Sequence, residues 1–201
     1  MSRDDRKFLA HVLKDVPESI STCIRSMFLE LKHLSLTMHK KNSIHNTQQD
    51  LWMNKVDACG LNMHKILASE LNSDVSEQHP GGVWRVYTIS ANIFLCLFLR
   101  KTMLGSPVLK YLTGSLISAL DNEATTKTGV PASVLLWVLF LGGSAAEGST
   151  QREWFMNRLP GLLLLLSMKT WKDAQDQLAL FPYVDGCAVP FEKIWREVSL
   201  K

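Results

Sequence analysis

Residues 132–146, ASVLLWVLFLGGSAA, are apolar on every side, and no charged residue stands between Thr128 and Ala146. A helix without a polar face has to be enclosed by other elements. The pattern therefore predicts a central buried helix over 132–146. Pro131 suits its first helical position, where the missing N–H has no partner anyway. Gly142, Gly143, Ser144, Ala145 and Ala146 are small enough for a neighbouring backbone to cross close by. The Glu147-Gly148-Ser149 corner should end the helix, and Thr150-Gln-Arg-Glu153 reads as a capping box for the next.

A second nearly all-apolar run, residues 83–101, predicts another buried helix closed by Arg100 and Lys101 at the end its dipole favours. Around these two the pattern is amphipathic. In 18–41, Ile20, Ile24, Met27, Phe28, Leu31, Leu34 and Met38 recur at steps of three and four, one apolar stripe. Residues 50–69 form a weaker helix, with Leu51, Val56, Met63, Ile66 and Leu67 as buried candidates and Gly60 as an interruption. Residues 72–82 end in Pro80-Gly81-Gly82 and read as a loop. Ser106-Pro107 opens a helix as cap and first-position proline, with Leu109, Leu112, Leu116, Ile117 and Leu120 facing inward. Residues 151–168 should be helical, kinked or split at Pro160-Gly161. Thr170-Trp-Lys-Asp173 is a further capping signal, followed by Trp171, Ala174, Leu178 and Phe181 on one face. Residues 188–199 close the pattern with Phe191, Ile194, Trp195 and Val198. Residues 1–15 allow only a short helix before Pro17. No alternating strand, heptad run or repeat is present. The expectation is an all-α fold, an irregular array of about eight helices around two buried apolar ones, with 1–16 as an N-terminal segment and 17–201 as a single domain.

Composition narrows the function classes. The 201 residues are 46% hydrophobic and 20% charged, as in a globular protein rather than a disordered one. A net charge of +3 is too balanced to indicate a nucleic-acid or membrane surface through charge alone. Cys23, Cys59, Cys96 and Cys187 are scattered, without zinc-finger or redox spacing. With no signal peptide and no glycosylation sequon, a reducing interior is the expectation. A membrane-associated chain is a further reading, because residues 128–146 are long enough on paper to span a bilayer. Pro131, Ser133 and Gly142-Gly143-Ser144 argue against it.

No catalytic, cofactor-binding, metal-binding or DNA-binding residues are expected. Gly142-Gly143-Ser144-Ala145-Ala146 nearly matches the G-x-S-x-G nucleophile elbow, but the last glycine and the preceding strand are missing. Close helix packing is the preferred reading. There is no phosphate-binding loop. None of the histidines His11, His33, His39, His45, His64 and His79 has metalloprotease spacing. Glu147 suits a backbone N–H or an arginine such as Arg152. The six tryptophans fit core packing and could also line an apolar pocket.

The ordered pieces carry a resemblance. The Leu136-Trp137-Val138-Leu139-Phe140 run, Gly142-Gly143, Ala145-Ala146, the Glu147 corner and then Arg152-Glu153-Trp154-Phe155 resemble the fungal-specific transcription factor regulatory domain. Trp171-Lys172-Asp173 with Leu178 and Phe181, and Cys187 with Trp195, Glu197 and Val198, resemble its later elements. The likeness runs from about residue 82 to 198, and more weakly back to Pro17. It marks Trp137, Gly142, Gly143, Glu147, Arg152, Trp154, Phe155, Trp171 and Trp195 as the structural signature. The family's fold is all-α, and its domain usually follows a binuclear zinc cluster. That cluster needs six closely spaced cysteines, and four scattered ones stand here. The resemblance implies a nuclear, non-enzymatic regulatory domain without its own DNA reader, a truncated zinc-cluster protein or a free-standing domain. It implies proteins of the transcription machinery or a related zinc-cluster factor as partners, with a small effector besides, no cofactor, no direct nucleic-acid contact and no membrane. The alternative is a soluble helical protein or enzyme holding an apolar small molecule between the central helix and residues 83–101.

Overall fold

The computed structural model describes residues 18–39, 46–72, 81–122 and 130–199. Among them are eight α-helices and no strand, an all-α fold. The helices are α1 (Glu18–His39), α2 (Asn46–Asn72), α3 (Gly81–Phe94), α4 (Pro107–Leu120), α5 (Ala132–Ala145), α6 (Gln151–Leu165), α7 (Trp171–Leu178) and α8 (Ala188–Ser199). A π-helical turn, Leu95–Leu99, extends α3, and a 3₁₀ turn, Asp185–Cys187, precedes α8. The segments 1–15 and 73–80 lie outside the described residues.

Two helices sit in the middle, as their patterning requires. In α5, twelve of fourteen residues are buried. It packs against α3, α4, α6, α7 and α8. From Val83 to Phe94, only Arg85 of α3 is exposed, and α1, α2, α4 and α5 surround it. The stripe of α1 faces this core through Ile24, Met27, Phe28, Leu31 and Leu34. Fourteen residues of α5 span about 21 Å, short of the about 30 Å hydrocarbon core of a bilayer. Among the described residues, no helix is long and apolar enough to cross a membrane.

Polar side chains inside the core mostly return to their own helix. Ser35, Thr88 and Thr113 each donate a hydroxyl to the carbonyl four residues back, at 2.7, 3.0 and 2.8 Å. Ser106 caps α4 by accepting the Leu109 N–H at 3.4 Å.

Several local expectations give way to tertiary context. Gly60 does not interrupt α2, which runs through it. The Arg100 guanidinium lies over it, 2.7 Å from where a Cβ would stand, and pairs with Asp57 at 2.8 Å. Leu51 is 61% exposed, whereas Val56 and Met63 are buried; the side chains of Ile66 and Leu67 lie outside the described set. Pro160 does not split α6. Its ring lies on an exposed position of the helix, which continues through it to Leu165. The helix predicted over 83–101 loses its α geometry at Leu95, and Lys101 takes a left-handed φ of 54°. Thr150 makes no side-chain cap on α6 because its backbone is already helical, with φ −63° and ψ −24°.

The capping box on α7 does form. Thr170 Oγ1 accepts the Asp173 N–H at 3.2 Å, and Asp173 Oδ2 accepts the Thr170 N–H at 2.8 Å. Thr170→Ala is expected to lower stability by about 1 kcal/mol, read from the urea midpoint. The Thr170 N–H, the threonine hydroxyl and the Lys169 N–H hold the Asp173 carboxyl below its ordinary value of 3.8. A depressed folded value means that its stabilisation is complete above that ordinary value. The contribution is lost as pH falls through the lower folded value. Asp173→Asn should remove this part of the acid dependence, measured as the urea midpoint against pH.

Candidate functional site

The residues around the end of α5 form one junction. Gly142 and Gly143 occupy the last turn of that helix, and what crosses them is side chain rather than backbone. A Cβ on Gly142 would stand 2.1 Å from Cε1 of Phe155, and one on Gly143 would stand 3.1 Å from Cδ1 of Ile194. Phe155 and Ile194 are fully buried. The chain then turns through Gly148, whose φ of 75° a side chain would resist. Coming back along α6, Arg152 donates from Nη1 to the Gly143 carbonyl at 2.8 Å. That carbonyl is among the last four of α5, which find no partner within their own helix. From Nη2, Arg152 donates to both carboxylate oxygens of Glu197, each at 3.0 Å. One largely buried guanidinium thus ties α5, α6 and α8 together. Such a cation also suits the negative end of the α5 dipole.

Glu147 does not pair with Arg152. Its carboxylate accepts from the Lys193 ammonium of α8, while Arg152 is committed to Glu197. Trp154 donates its indole N–H to Asp121 at 3.1 Å, and Arg158 bonds the same carboxylate at 2.7 Å. The Arg158 guanidinium carbon also stands 3.6 Å from the Trp154 ring centroid, a cation–π contact within α6, while the two bonds to Asp121 fasten α6 to the end of α4. Trp171 and Trp195 meet each other with ring centroids 6.2 Å apart.

Trp137 belongs to a different cluster, deeper in the core. It stacks on Phe181 at 5.6 Å and also meets Phe28 at 5.4 Å and Phe94 at 6.2 Å. Its indole N–H reaches the Pro182 carbonyl at 3.3 Å. One ring therefore touches α1, α3 and the segment after α7.

A half-open cleft of about 330 Å³ lies beside the junction. The π turn forms one wall through Leu97 and Phe98, and the end of α5 supplies Ser144 and Glu147. Met38, Leu104 and Pro190 complete its apolar lining, and Lys101 stands at the same cleft. It sits between the central helix and the 83–101 segment, where the alternative reading puts an enclosed apolar pocket, but it is open on one side.

Among the described residues, the thiols of Cys59, Cys96 and Cys187 are buried. Burial pushes Cys59 and Cys187 up to about 12, and Cys96 is raised for the same reason. His33 is exposed; the other five histidines fall outside the side chains described. Among the described residues, no three of the His, Cys, Asp and Glu side chains stand close enough to share a metal ion.

The family model for the fungal specific transcription factor domain matches residues 6–176. The chain belongs to that family. No curated protein and no solved structure matches it. The family match begins at residue 6, ahead of Pro17, and takes in α1 and α2, where the resemblance in the motifs is weaker. It ends inside α7, so Phe181, Cys187, Trp195 and Glu197 lie beyond it. Membership in the fungal transcription factor family supports a regulatory role in transcription.

The periodicity does not mark Lys193 as the partner of Glu147, Ser144 as an unpartnered group, or the π turn. Ile194 was visible as an inward position of α8 without its partner. Nothing in Leu95-Cys96-Leu97-Phe98-Leu99 distinguishes π from α, because every residue there is apolar.

Proposed function

We propose that residues 17–201 act as one non-enzymatic regulatory domain in the nucleus, working through other proteins of the transcription machinery or through a related zinc-cluster factor. The family match over most of the chain carries this reading. The junction geometry supports it: Arg152, Glu197 and the Gly142–Phe155 contact are all satisfied within the fold. We read these groups, and the other signature residues, as structural supports rather than reacting groups. Within these 201 residues DNA contact is left to a partner, in keeping with four scattered cysteines and a charge of +3.

The experiment is a tethering assay in a fungal host. The chain is fused to a heterologous DNA-binding domain and placed upstream of a reporter. A several-fold change against the DNA-binding domain alone is expected, with a fluorescently tagged chain concentrated in the nucleus. A reporter that does not respond while the fusion is abundant and nuclear would overturn the reading.

A further inference from the structure

Three irregularities meet at the cleft beside α5. The first is the π turn Leu95–Leu99, which inserts an extra residue into the end of α3 and presents Leu97 and Phe98 to the cleft. Such turns are rare and concentrate at functional sites. The second is Lys101, a residue with a side chain held at φ 54°, a conformation that persists only where the surroundings impose it. The third is Ser144, which is 2% exposed and whose Oγ has no hydrogen-bond partner. Ser35, Thr88 and Thr113 send their hydroxyls back to their own helices; Ser90 and Ser144 do not, and of these two it is Ser144 that lines the cleft. A buried hydroxyl left unpaired calls for a partner from outside the protein.

The chemistry of the cleft defines that partner. Leu97, Phe98, Leu104 and Pro190 offer an apolar bed. Lys193 neutralises Glu147. Lys101 has no carboxylate partner among the described residues, so one positive charge remains. The volume, about 330 Å³, is at the small end of ligand pockets.

We propose that this cleft binds a small amphipathic carboxylic acid as its anion. The Ser144 hydroxyl donates to the carboxylate, Lys101 neutralises it, and the apolar body lies along Leu97, Phe98 and Leu104.

The test is isothermal titration calorimetry of the full chain with octanoate, set against octanol and octylamine. Octanoate is expected to bind one-to-one, and the neutral and cationic probes to bind at least about tenfold more weakly, because hydrogen bonds to charged groups are the stronger ones. Ser144→Ala and Lys101→Met should each weaken octanoate about tenfold. Ser144→Ala should leave the thermal midpoint unchanged or raise it, since the hydroxyl it removes is unpaired in the free protein; a serine serving structure alone would lower the midpoint. Lys101 is exposed, so its variant keeps the test intact should Ser144→Ala fail to fold. Leu164→Ser, on an exposed face of α6, should change neither quantity. Absence of octanoate binding to the folded chain, equal binding of octanol, or undiminished affinity in Lys101→Met would overturn the proposal. Binding is read on the purified chain, so its outcome is independent of the tethering assay.

Discussion

Trp137→Ala is expected to lower the stability of the fold by about 3–5 kcal/mol, the cost of deleting a fully buried large aromatic side chain. The position makes the upper half of that range the expected result. Three aromatic neighbours, Phe28, Phe94 and Phe181, come from three different parts of the chain. None can close the gap without leaving its own contacts. The Pro182 carbonyl would also lose the indole N–H. Small domains hold only about 5–15 kcal/mol in total, so the variant should sit close to unfolding. Trp137→Phe separates the two contributions. It keeps an aromatic ring in the cluster and removes the donor, for an expected loss of about 1–3 kcal/mol. Urea unfolding followed by far-ultraviolet circular dichroism measures both, and an unchanged m-value would place the effect in the native state. A loss below about 1 kcal/mol for the alanine variant would show that the cluster does not hold the helices together.

The fold was largely legible from residue patterning, for a physical reason. Helix α5 has no polar face, so its burial follows from composition before any partner is known. The stripes of α1 and α8 fixed which faces turn inward, because period and burial are the same information in an amphipathic helix. What failed were readings in which a local preference met a tertiary contact. Gly60 reads as a helix breaker in isolation, but Val56, Cys59 and Met63 bury the helix on either side of it, and Arg100 occupies the space a side chain would take. Glu147 and Arg152 are near in sequence and oppositely charged, yet each finds its partner on α8, some 45 residues away. Sequence separation says little about such pairs once helices fold back on one another. The cleft was half legible. Its position between the two apolar helices follows from the alternative reading alone, and the π turn that shapes it leaves no mark in the all-apolar run Leu95-Cys96-Leu97-Phe98-Leu99.

Gly142→Ala carries the second large expected effect, and its sign runs against intrinsic preference. Alanine in a helix interior is favoured over glycine by about 1 kcal/mol. Here the new methyl would meet three carbons of the Phe155 ring at 2.1, 2.5 and 2.6 Å. The ring cannot swing aside cheaply, because it is fully buried and set edge-on against Trp154 at 5.0 Å. Overpacking of this kind costs about 1–3 kcal/mol and occasionally more. With three carbons obstructed, the net loss should be about 2 kcal/mol, a fall in melting temperature of about 4–8 °C for a chain of this size. Gly143→Ala is the control one residue along. There the nearest atom is the terminal methyl of Ile194 at 3.1 Å, which can yield by rotation, so helix preference and crowding should nearly cancel. Phe155→Leu should relieve Gly142→Ala specifically, and the double-mutant cycle should show a coupling of about 1 kcal/mol or more. Equal melting temperatures for the two glycine variants would mean that the Phe155 ring is not what sets the approach of α6 to α5.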